Sequence, residues 1–209
     1  MNRYRIRIRF RKEDDLRLIS HRDLVRAFER MFRRANLRLG MSEGFHPKPR
    51  MTFPSALSLG IRGADEVMEF ELAEETPTDL LTELLERHAP PGLVITEVTA
   101  LAEGQRKARA ARFVYEFPVP SDRRADIQQS IDELLAAESR WITREKPPTT
   151  IDVRAGLESL EYCDDQVRFT LAADQPGIVR PREVLSALGL DDLESEGAYL
   201  TRARVELQT

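Results

Sequence analysis

Residues 3–11 read RYRIRIRFR, and basic and apolar side chains alternate along the whole stretch. Such period-two alternation predicts a half-buried β-strand, because successive side chains of a strand point to opposite faces. Five arginines would share one face, where like charges repel each other unless water, an anionic partner or acidic cross-strand neighbours lie over them. Glu69 and Glu71, in a later alternating segment, are the candidate neighbours. The sequence leaves open whether this face is paired internally or free to bind a polyanion.

A helix is predicted after this strand. Ser20 is the expected N-cap, and Asp23 stands at the position of the capping-box acid. Apolar residues then recur at helical spacing and predict the face that packs into the core. These residues are Leu24, Ala27, Phe28, Met31, Phe32 and Ala35. Arginines, among them Arg26 and Arg30, occupy the other face, so strand and helix together form a basic N-terminal unit.

The helix is followed by a long loop, residues 36–60, that reads NLRLGMSEGFHPKPRMTFPSALSLG. Connections of this length are uncommon in compact domains unless they have a function. Glycines relax its backbone and prolines restrict it, which predicts an ordered, extended surface loop. Among the prolines lie the basic and aromatic residues Phe45, His46, Lys48, Arg50 and Phe53. Two interpretations remain open: a rigid loop whose phenylalanines plug the core, or a loop that recognises phosphates.

The remainder of residues 1–101 predicts further strands and one helix. Residues 67–72 and 93–98 have strand patterns, and Thr76-Pro77 opens a helix between them. The predicted buried face of that helix is Leu80, Leu81, Leu84 and Leu85. With a short strand near residues 50–53, the order becomes strand-helix-strand-strand-helix-strand, which is typical of a ferredoxin-like fold.

Residues 112–209 predict the same order of elements again, after a small, polar and basic linker at residues 102–111. Ser121 is the expected cap of a helix. The apolar stripe of this helix is Ile127, Ile131, Leu134 and Leu135. Two strand-like segments flank Pro147-Pro148, and a hairpin is expected to turn at Asp164-Asp165. The sequence therefore predicts an α+β protein of two ferredoxin-like units in tandem, each with an antiparallel sheet.

Charge is distributed unevenly along the 209 residues, of which 33% are charged and 41% hydrophobic. Residues 1–50 hold 15 Lys and Arg against 6 Asp and Glu, whereas residues 51–209 hold 17 against 30. This asymmetry predicts a basic binding surface on an otherwise acidic body. We expect the early arginines and the loop around His46 to converge in one cationic patch.

The single cysteine, Cys163, excludes a disulfide within the chain and fits a reducing compartment. The N-terminal sequence lacks the apolar core of a signal peptide, and no apolar run is long enough to span a bilayer. We therefore expect a cytoplasmic protein without a membrane partner.

The sequence contains no pattern that specifies a metal site or a nucleophile. Its histidines and Cys163 lack ligand spacing, and an iron–sulfur cluster needs several cysteines. His46, beside Pro47, and Asp152, in the run TIDVR, are the weak catalytic candidates. The residues thus favour a protein that is not itself an enzyme.

The run LRLISHRDLVRAFERMFRRANLRLGMSEGFHPKPRMTFPSALSLGI, residues 16–61, resembles the radical-SAM-linked domain of unknown function. Two later runs, TIDVR at residues 150–154 and RPREVLSALG at residues 180–189, are similar to the second half of that family. Its members occur beside or fused to a radical SAM protein, often near ribosome- and RNA-processing genes. The resemblance implies a radical SAM partner that carries the iron–sulfur cluster and S-adenosylmethionine, with no cofactor in this chain.

The leading hypothesis is an accessory module that presents RNA or a ribosomal substrate to a radical SAM enzyme through an arginine-rich surface. The residues expected to bind nucleic acid are Arg5, Arg7, Arg9, Arg26, Arg30, Phe45, His46, Lys48, Arg50 and Phe53. Two alternatives remain. One is an RNA-modifying or RNA-processing enzyme, since the tandem order is similar to that of pseudouridine synthases and RNA-processing endonucleases. The other is an adaptor that binds only proteins.

Overall fold

The computed structural model describes residues 3–145, 148–173 and 179–208. The fold is mixed α+β, and the strand pairs described below are antiparallel. The chain divides into two compact units, Met1–Arg109 and Ala110–Thr209, and the boundary falls inside the predicted linker. None of the helices in these described ranges has the length and apolar character needed to cross a membrane.

In the described part of the first unit there are four strands and two α-helices. They are β1 (Tyr4–Lys12), α1 (His21–Arg34), β2 (Met51–Thr52), β3 (Arg62–Leu72), α2 (Thr78–His88) and β4 (Leu93–Ala100). β1 pairs with both β4 and β3, and β2 pairs with β3. The strand order is therefore β4-β1-β3-β2, with the strand predicted from the alternating arginines at its centre.

The core of the first unit lies between one face of this sheet and the two helices. Ile6, Ile8 and Phe10 of β1 are at most 2% exposed, and they belong to one cluster with the apolar face of α1. The rings of Phe10 and Phe28 meet edge to face, with centroids 5.1 Å apart. Burial of each such side chain contributes about 1.5–3 kcal/mol. The predicted core face of α1 is confirmed.

The start of α1 is fixed by Ser20. Its Oγ accepts a hydrogen bond from the Asp23 N–H at 3.2 Å and donates one to Asp23 Oδ2 at 2.7 Å. The hydrogen bond from Ser20, together with Arg26, holds the pKa of Asp23 below its usual range. The N-cap prediction is confirmed, although the carboxylate binds the hydroxyl and so departs from the usual capping box.

Among its described residues the second unit has six strands and three α-helices. They are β5 (Ala110–Pro118), α3 (Arg124–Ala136), β6 (Trp141–Glu145), β7 (Pro148–Asp152), β8 (Leu157–Cys163), β9 (Gln166–Ala172), α4 (Pro181–Ala187), α5 (Asp191–Ser195) and β10 (Thr201–Leu207). Within this unit the strand order is β10-β5-β9-β8, and β6 and β7 pair as a separate hairpin. Asp164 and Asp165 have φ of 51° and 56°, as a two-residue hairpin turn requires, so the predicted turn is confirmed.

Several element boundaries differ from the sequence prediction. Ser121 does not cap α3: it begins a 3₁₀ turn, Ser121–Arg123, and α3 starts at Arg124. Leu135 and Leu80 were expected in the core but are 38% and 46% exposed. Each lies one residue from a buried leucine, and one residue rotates a helical side chain by about 100°. Pro147 lies outside the described residues, whereas Pro148 begins β7.

Candidate nucleic-acid interface

The long loop forms an ordered hairpin on the outer side of β3. The Gly40 N–H donates to the Glu71 carbonyl at 2.7 Å, and the Glu71 N–H donates to the Arg50 carbonyl at 3.1 Å. The two arms bind each other, since the Arg50 N–H donates to Gly40 O at 2.8 Å and the Ser42 N–H to Lys48 O at 2.8 Å. Residues 40–50 therefore extend the hydrogen bonding of the sheet.

Gly40 allows the first arm to lie this close to β3. A Cβ atom at this position would meet the Cβ of Glu71 at 2.8 Å and its Oε2 at 3.3 Å. Real side chains essentially never make the shorter of these contacts, so the hairpin needs glycine here. The glycine thus serves close packing between loop and strand.

Residues 43–48 form the exposed end of the hairpin, which we call the loop tip. Phe45 has a relative exposure of 102%, and His46 and Lys48 are also exposed. Gly44 has a φ of 124°, a region that favours glycine, and makes the turn. The Lys48 N–H donates to Ser42 Oγ at 2.9 Å, which fixes the base of the tip. An aromatic ring and two nitrogen-bearing side chains are therefore held together in solvent.

The arginines of β1 are paired with acids of β3 and its neighbourhood. Glu69 binds Arg5 at 2.7 Å and Arg7 at 2.8 Å, and its side chain is 3% exposed. Arg9 binds Asp65 at 2.5 Å. The cross-strand register places Arg7 directly opposite Glu69, which explains the pairing. Of the two possibilities left open by the sequence, the paired face is the one observed.

The segment before β5 covers part of this arginine face. The Ala108 N–H donates to Glu69 Oε1 at 3.1 Å, and the Arg5 guanidinium donates to the carbonyl of Gln105. The predicted linker therefore contacts the sheet of the first unit. Glu69 consequently accepts hydrogen bonds from Arg5, Arg7 and the Ala108 N–H, and Arg5 binds both Glu69 and the Gln105 carbonyl.

The predicted binding residues do not form one patch, and that expectation is wrong. Ile6 and Ile8 point to the sheet face that carries α1, so Arg5 and Arg7 point to the opposite face. Arg26 and Arg30, with Arg22, Arg33 and Arg34, are exposed on the outer side of α1. Arg26 also pairs with Asp23 at 3.2 Å. The sheet and the core separate these two groups of arginines.

Phe53 packs the loop against the core. Its ring centroid lies 4.9 Å from that of His21 and 5.8 Å from that of Phe28, and its side chain is half-buried. These contacts agree with the structural interpretation of this phenylalanine. Of the two loop phenylalanines predicted to meet a base, Phe45 is the one in solvent.

Asp152 ends β7 with a structural hydrogen-bond pattern. Its Oδ1 accepts from the Arg140 N–H at 2.8 Å and from the Arg154 N–H at 3.0 Å. Arg154 lies just beyond the strand and contributes its backbone N–H to this pattern. The carboxylate fixes the end of the β6–β7 hairpin.

The described part of the chain contains no evidence for a metal site or for a reactive thiol at Cys163. There, no three His, Cys, Asp or Glu side chains are grouped as they would be to hold a metal ion. Burial raises the pKa of the Cys163 thiol, and the neighbouring Glu161 and Asp164 act in the same direction. A raised pKa disfavours the reactive thiolate.

A cleft of about 390 Å³ opens at the base of the hairpin. It is lined by Arg5, Ser42, Pro49, Arg50, Met51, Thr52, Glu69, Phe70, Glu71 and Lys107. Arg5 and Arg50 were predicted as binding residues, whereas Ser42, Thr52 and Lys107 were not. Lys107 belongs to the predicted linker, and its basic composition was the only signal in the sequence.

The fold and this hairpin define an α+β protein of antiparallel sheets that carries a projecting basic loop. The chain belongs to the family described as "Uncharacterized protein conserved in bacteria (DUF2344)", whose model matches residues 5–181. This confirms the predicted membership in a family of unknown function, and the link to a radical SAM protein stays a prediction.

Comparison with other proteins adds no argument about function. One similar solved structure is titled "Crystal Structure of an Unknown Protein from Galdieria sulphuraria". It is 14% identical, covers 100% of both chains and has a TM-score of 0.30, which is too low to support an inference. Among curated proteins, no match is found.

Proposed function

We propose that this protein binds single-stranded RNA through the loop tip and presents it to a radical SAM enzyme. The observation that carries the proposal is the complete exposure of Phe45 in a hairpin whose backbone is hydrogen-bonded. An aromatic ring held in water by an ordered loop is available to stack on a base. Stacking of this kind is worth about 1–3 kcal/mol per base and tolerates any sequence.

The neighbours of Phe45 supply contacts to the phosphate backbone. Lys48 carries a cation, and the imidazole of His46 donates a hydrogen bond to an anion. Pro47 and Pro49 restrict the backbone between them, so less conformational entropy is lost when RNA binds. Because the β1 arginines are already paired, we assign RNA binding to the tip and to the exposed arginines of α1.

The radical SAM partner rests on the family resemblance of residues 16–61. With one cysteine, this chain does not hold a cluster alone, so the cluster and S-adenosylmethionine belong to the partner. In this arrangement the present chain binds and positions the RNA, and the partner performs the chemistry.

We further propose that each unit is ferredoxin-like. The order β4-β1-β3-β2 in the first unit and β10-β5-β9-β8 in the second supports this proposal. Each order places the first and last strands of a unit side by side, as the strand-helix-strand-strand-helix-strand connection requires. The β6–β7 hairpin is then an insertion between α3 and β8. Sheets of this kind are common RNA-binding platforms.

The test is fluorescence anisotropy with a labelled single-stranded RNA of mixed sequence. Phe45→Ala is expected to weaken binding about tenfold, the equivalent of about 1.4 kcal/mol of lost stacking. Trp141→Ala is the matched control, because Trp141 is 62% exposed on the β6–β7 hairpin of the other unit. Equal losses in both variants, or no loss with Phe45→Ala, contradict the proposal.

The salt dependence separates RNA binding from a protein-only adaptor. Lys48→Ala is expected to reduce the slope of log affinity against log salt by about 0.7, the value of one phosphate contact on a single strand. Arg87→Ala, at an exposed arginine of α2 that pairs with Glu83, is the control and should leave the slope unchanged. Binding that is insensitive to salt favours the adaptor. If the protein itself modifies or cleaves RNA, and His46→Ala or Asp152→Asn abolishes that activity, the enzyme alternative is favoured.

A further inference from the structure

A row of arginines runs along the outer face of α1. We propose that this row, which consists of Arg22, Arg26, Arg30 and Arg33, binds the phosphate backbone of double-stranded RNA. The inference rests on the proposed function and divides RNA binding between two surfaces. The loop tip takes unpaired bases, and the α1 arginine row takes an adjoining duplex. The substrate class is then an RNA in which a duplex continues into a single strand.

The α1 arginine row is straight and lies opposite the core. Successive residues of an α-helix are rotated by about 100° and rise by about 1.5 Å, so the four arginines fall within a sector of about 80° and span about 16 Å. The buried residues of α1 occupy the opposite sector, and all four arginines are exposed. Because the N-cap and the buried stripe fix the helix, the cations are presented at regular intervals on an ordered backbone.

Acidic residues of α1 compensate this row only in part. Asp23 pairs with Arg26 at 3.2 Å, and Glu29 is half-buried. Arg30 and Arg33 form no ion pair with any residue that the structure describes. α1 holds five arginines against two acids, whereas α2 and α3 each hold one arginine against three acids. The positive charge is therefore particular to α1.

The composition of this face favours phosphates over an acidic protein. Specific protein interfaces have an apolar centre that excludes water. Among the residues that the structure describes, none of the large hydrophobic side chains in solvent belongs to α1. Guanidinium groups without apolar neighbours match the phosphate contacts that supply much of the affinity of proteins for nucleic acids.

The same face favours a duplex over a single strand. Single strands are bound by aromatic side chains on which bases stack, whereas a duplex encloses its bases and is recognised mainly through its backbone and shape. Phe28 and Phe32 of α1 are both 0% exposed, so this face presents cations without an exposed phenylalanine. The loop tip has the reverse composition, with the exposed ring of Phe45 beside one lysine. The two surfaces thus suit different parts of one RNA.

The loop connects the two surfaces within the first unit. Residues 36–60 follow α1 almost directly, since the helix ends at Arg34. The ring centroid of Phe53 lies 4.9 Å from that of His21 and 5.8 Å from that of Phe28, and both partners belong to α1. The loop is therefore anchored on the helix that carries the arginine row.

Fluorescence anisotropy with three labelled RNAs tests the assignment: a single strand, a blunt duplex and a duplex with a single-stranded overhang. The overhang RNA is expected to bind at least about tenfold more tightly than either of the others, because it engages both surfaces at once. The row variant, Arg30→Ala with Arg33→Ala in one protein, should weaken the blunt duplex about tenfold and reduce its salt slope by about 2, the value of two phosphate contacts. Its affinity for the single strand should stay close to that of the parent protein.

The matched control variant combines Arg38→Ala with Arg87→Ala. It also removes two exposed arginines of the first unit, but these already pair with Glu74 and Glu83. The control variant should bind all three RNAs as the parent protein does. Equal losses in the row and control variants, or an overhang RNA that binds no better than the single strand, overturn the inference. Absence of duplex binding also overturns it and leaves an acidic protein as the partner of the row. Circular dichroism of both variants confirms that each comparison is made on folded protein.

Phe45→Ala separates this inference from the proposed function. It should weaken the single strand and the overhang RNA and leave the affinity for the blunt duplex unchanged. If duplex binding depends on the α1 arginine row but single-strand binding does not depend on Phe45, the α1 assignment stands and the loop-tip proposal fails. If the single strand depends on Phe45 and the blunt duplex does not bind, the α1 assignment alone fails.

Discussion

The arginine face of β1 and the loop tip both carry the basic residues that make the N-terminal unit cationic, but their environments are opposite. Arg5 and Arg7 share one buried carboxylate, Glu69, and are about one-fifth exposed. Lys48 and Phe45 stand in solvent at the end of a hairpin. The first group holds the sheet together, whereas the second is available to a partner.

This difference shows that the count of charges in a segment does not give its surface potential. A strand places every second residue beside a neighbouring strand, so alternating arginines meet whatever alternates there. β3 supplies acids opposite Arg5 and Arg7, and Glu69 forms ion pairs with both arginines. Lys48, in contrast, lies at the exposed end of a hairpin and not beside a neighbouring strand.

Removal of the shared carboxylate is expected to have the largest effect. Glu69→Ala leaves Arg5 and Arg7 without their buried partner and the Ala108 N–H without its acceptor. Breaking a buried ion pair from one side costs about 3 kcal/mol of unfolding free energy. Urea denaturation followed by circular dichroism measures this loss.

The control for Glu69→Ala lies on the same sheet face. Glu97→Ala removes an exposed carboxylate that reaches Arg9 only at 4.0 Å, so it should cost about 0.5 kcal/mol or less. Similar losses for the two variants would show that the arginine face is held by something other than Glu69.

The second largest effect is expected where the hairpin meets the sheet. Gly40→Ala introduces a Cβ 2.8 Å from that of Glu71, and relief requires the loop and β3 to separate. Overpacking of this kind costs about 2 kcal/mol. The variant should also weaken RNA binding, because the tip loses its fixed base. Unchanged stability would mean that the first arm of the loop is not packed on β3.

Most of the fold could be predicted because its signals are local. The alternation of residues 3–11, the apolar stripe of α1 and the Asp164-Asp165 turn each predict one element and its buried side. The start of α3 was predicted wrongly, because Ser121 begins a 3₁₀ turn and the helix starts at Arg124. Leu80 and Leu135 were also misplaced, because each lies beside a buried leucine and only packing decides which of two adjacent leucines faces the core.

The candidate site could be predicted in part. The loop composition indicated Phe45, His46, Lys48 and Phe53 as candidate binding residues, but it left open whether the two phenylalanines pack into the core. The position of Phe53 depends on contacts with His21 and Phe28, which are distant in sequence. The cleft was missed because Lys107 and Glu71 come together only through sheet pairing and the path of the linker.

An ion pair in the second unit, between Glu183 and Arg144, makes the stability of the protein depend on pH. Glu183 of α4 binds Arg144 of β6 at 2.5 Å and accepts from the Arg180 N–H at 2.7 Å. Burial by itself raises the pKa of Glu183, but these two donors outweigh it and hold the pKa below its usual range. Because the folded pKa is the lower one, the pair stabilises the protein above about pH 4.3, the unperturbed value.

The expected result is a loss of unfolding free energy as the pH falls from about 4.3 through the lower folded pKa of Glu183. Glu183→Gln should cost about 1.5 kcal/mol at pH 7 and flatten this part of the stability curve. Denaturation at pH 7 and at pH 3 measures both quantities. A variant with the same pH dependence as the parent protein would show that other carboxylates cause the acid sensitivity.

The smallest effect on stability is expected at the loop tip itself. Phe45 is fully exposed, so Phe45→Ala removes no buried surface and should change the unfolding free energy by less than about 0.5 kcal/mol. Phe53→Ala, in the same loop, removes packing against Phe28 and should cost about 2 kcal/mol. Urea denaturation of the two variants compares one residue type in two environments. If Phe45→Ala destabilises the protein as much as Phe53→Ala, the ring has an internal partner, and its availability for RNA no longer follows.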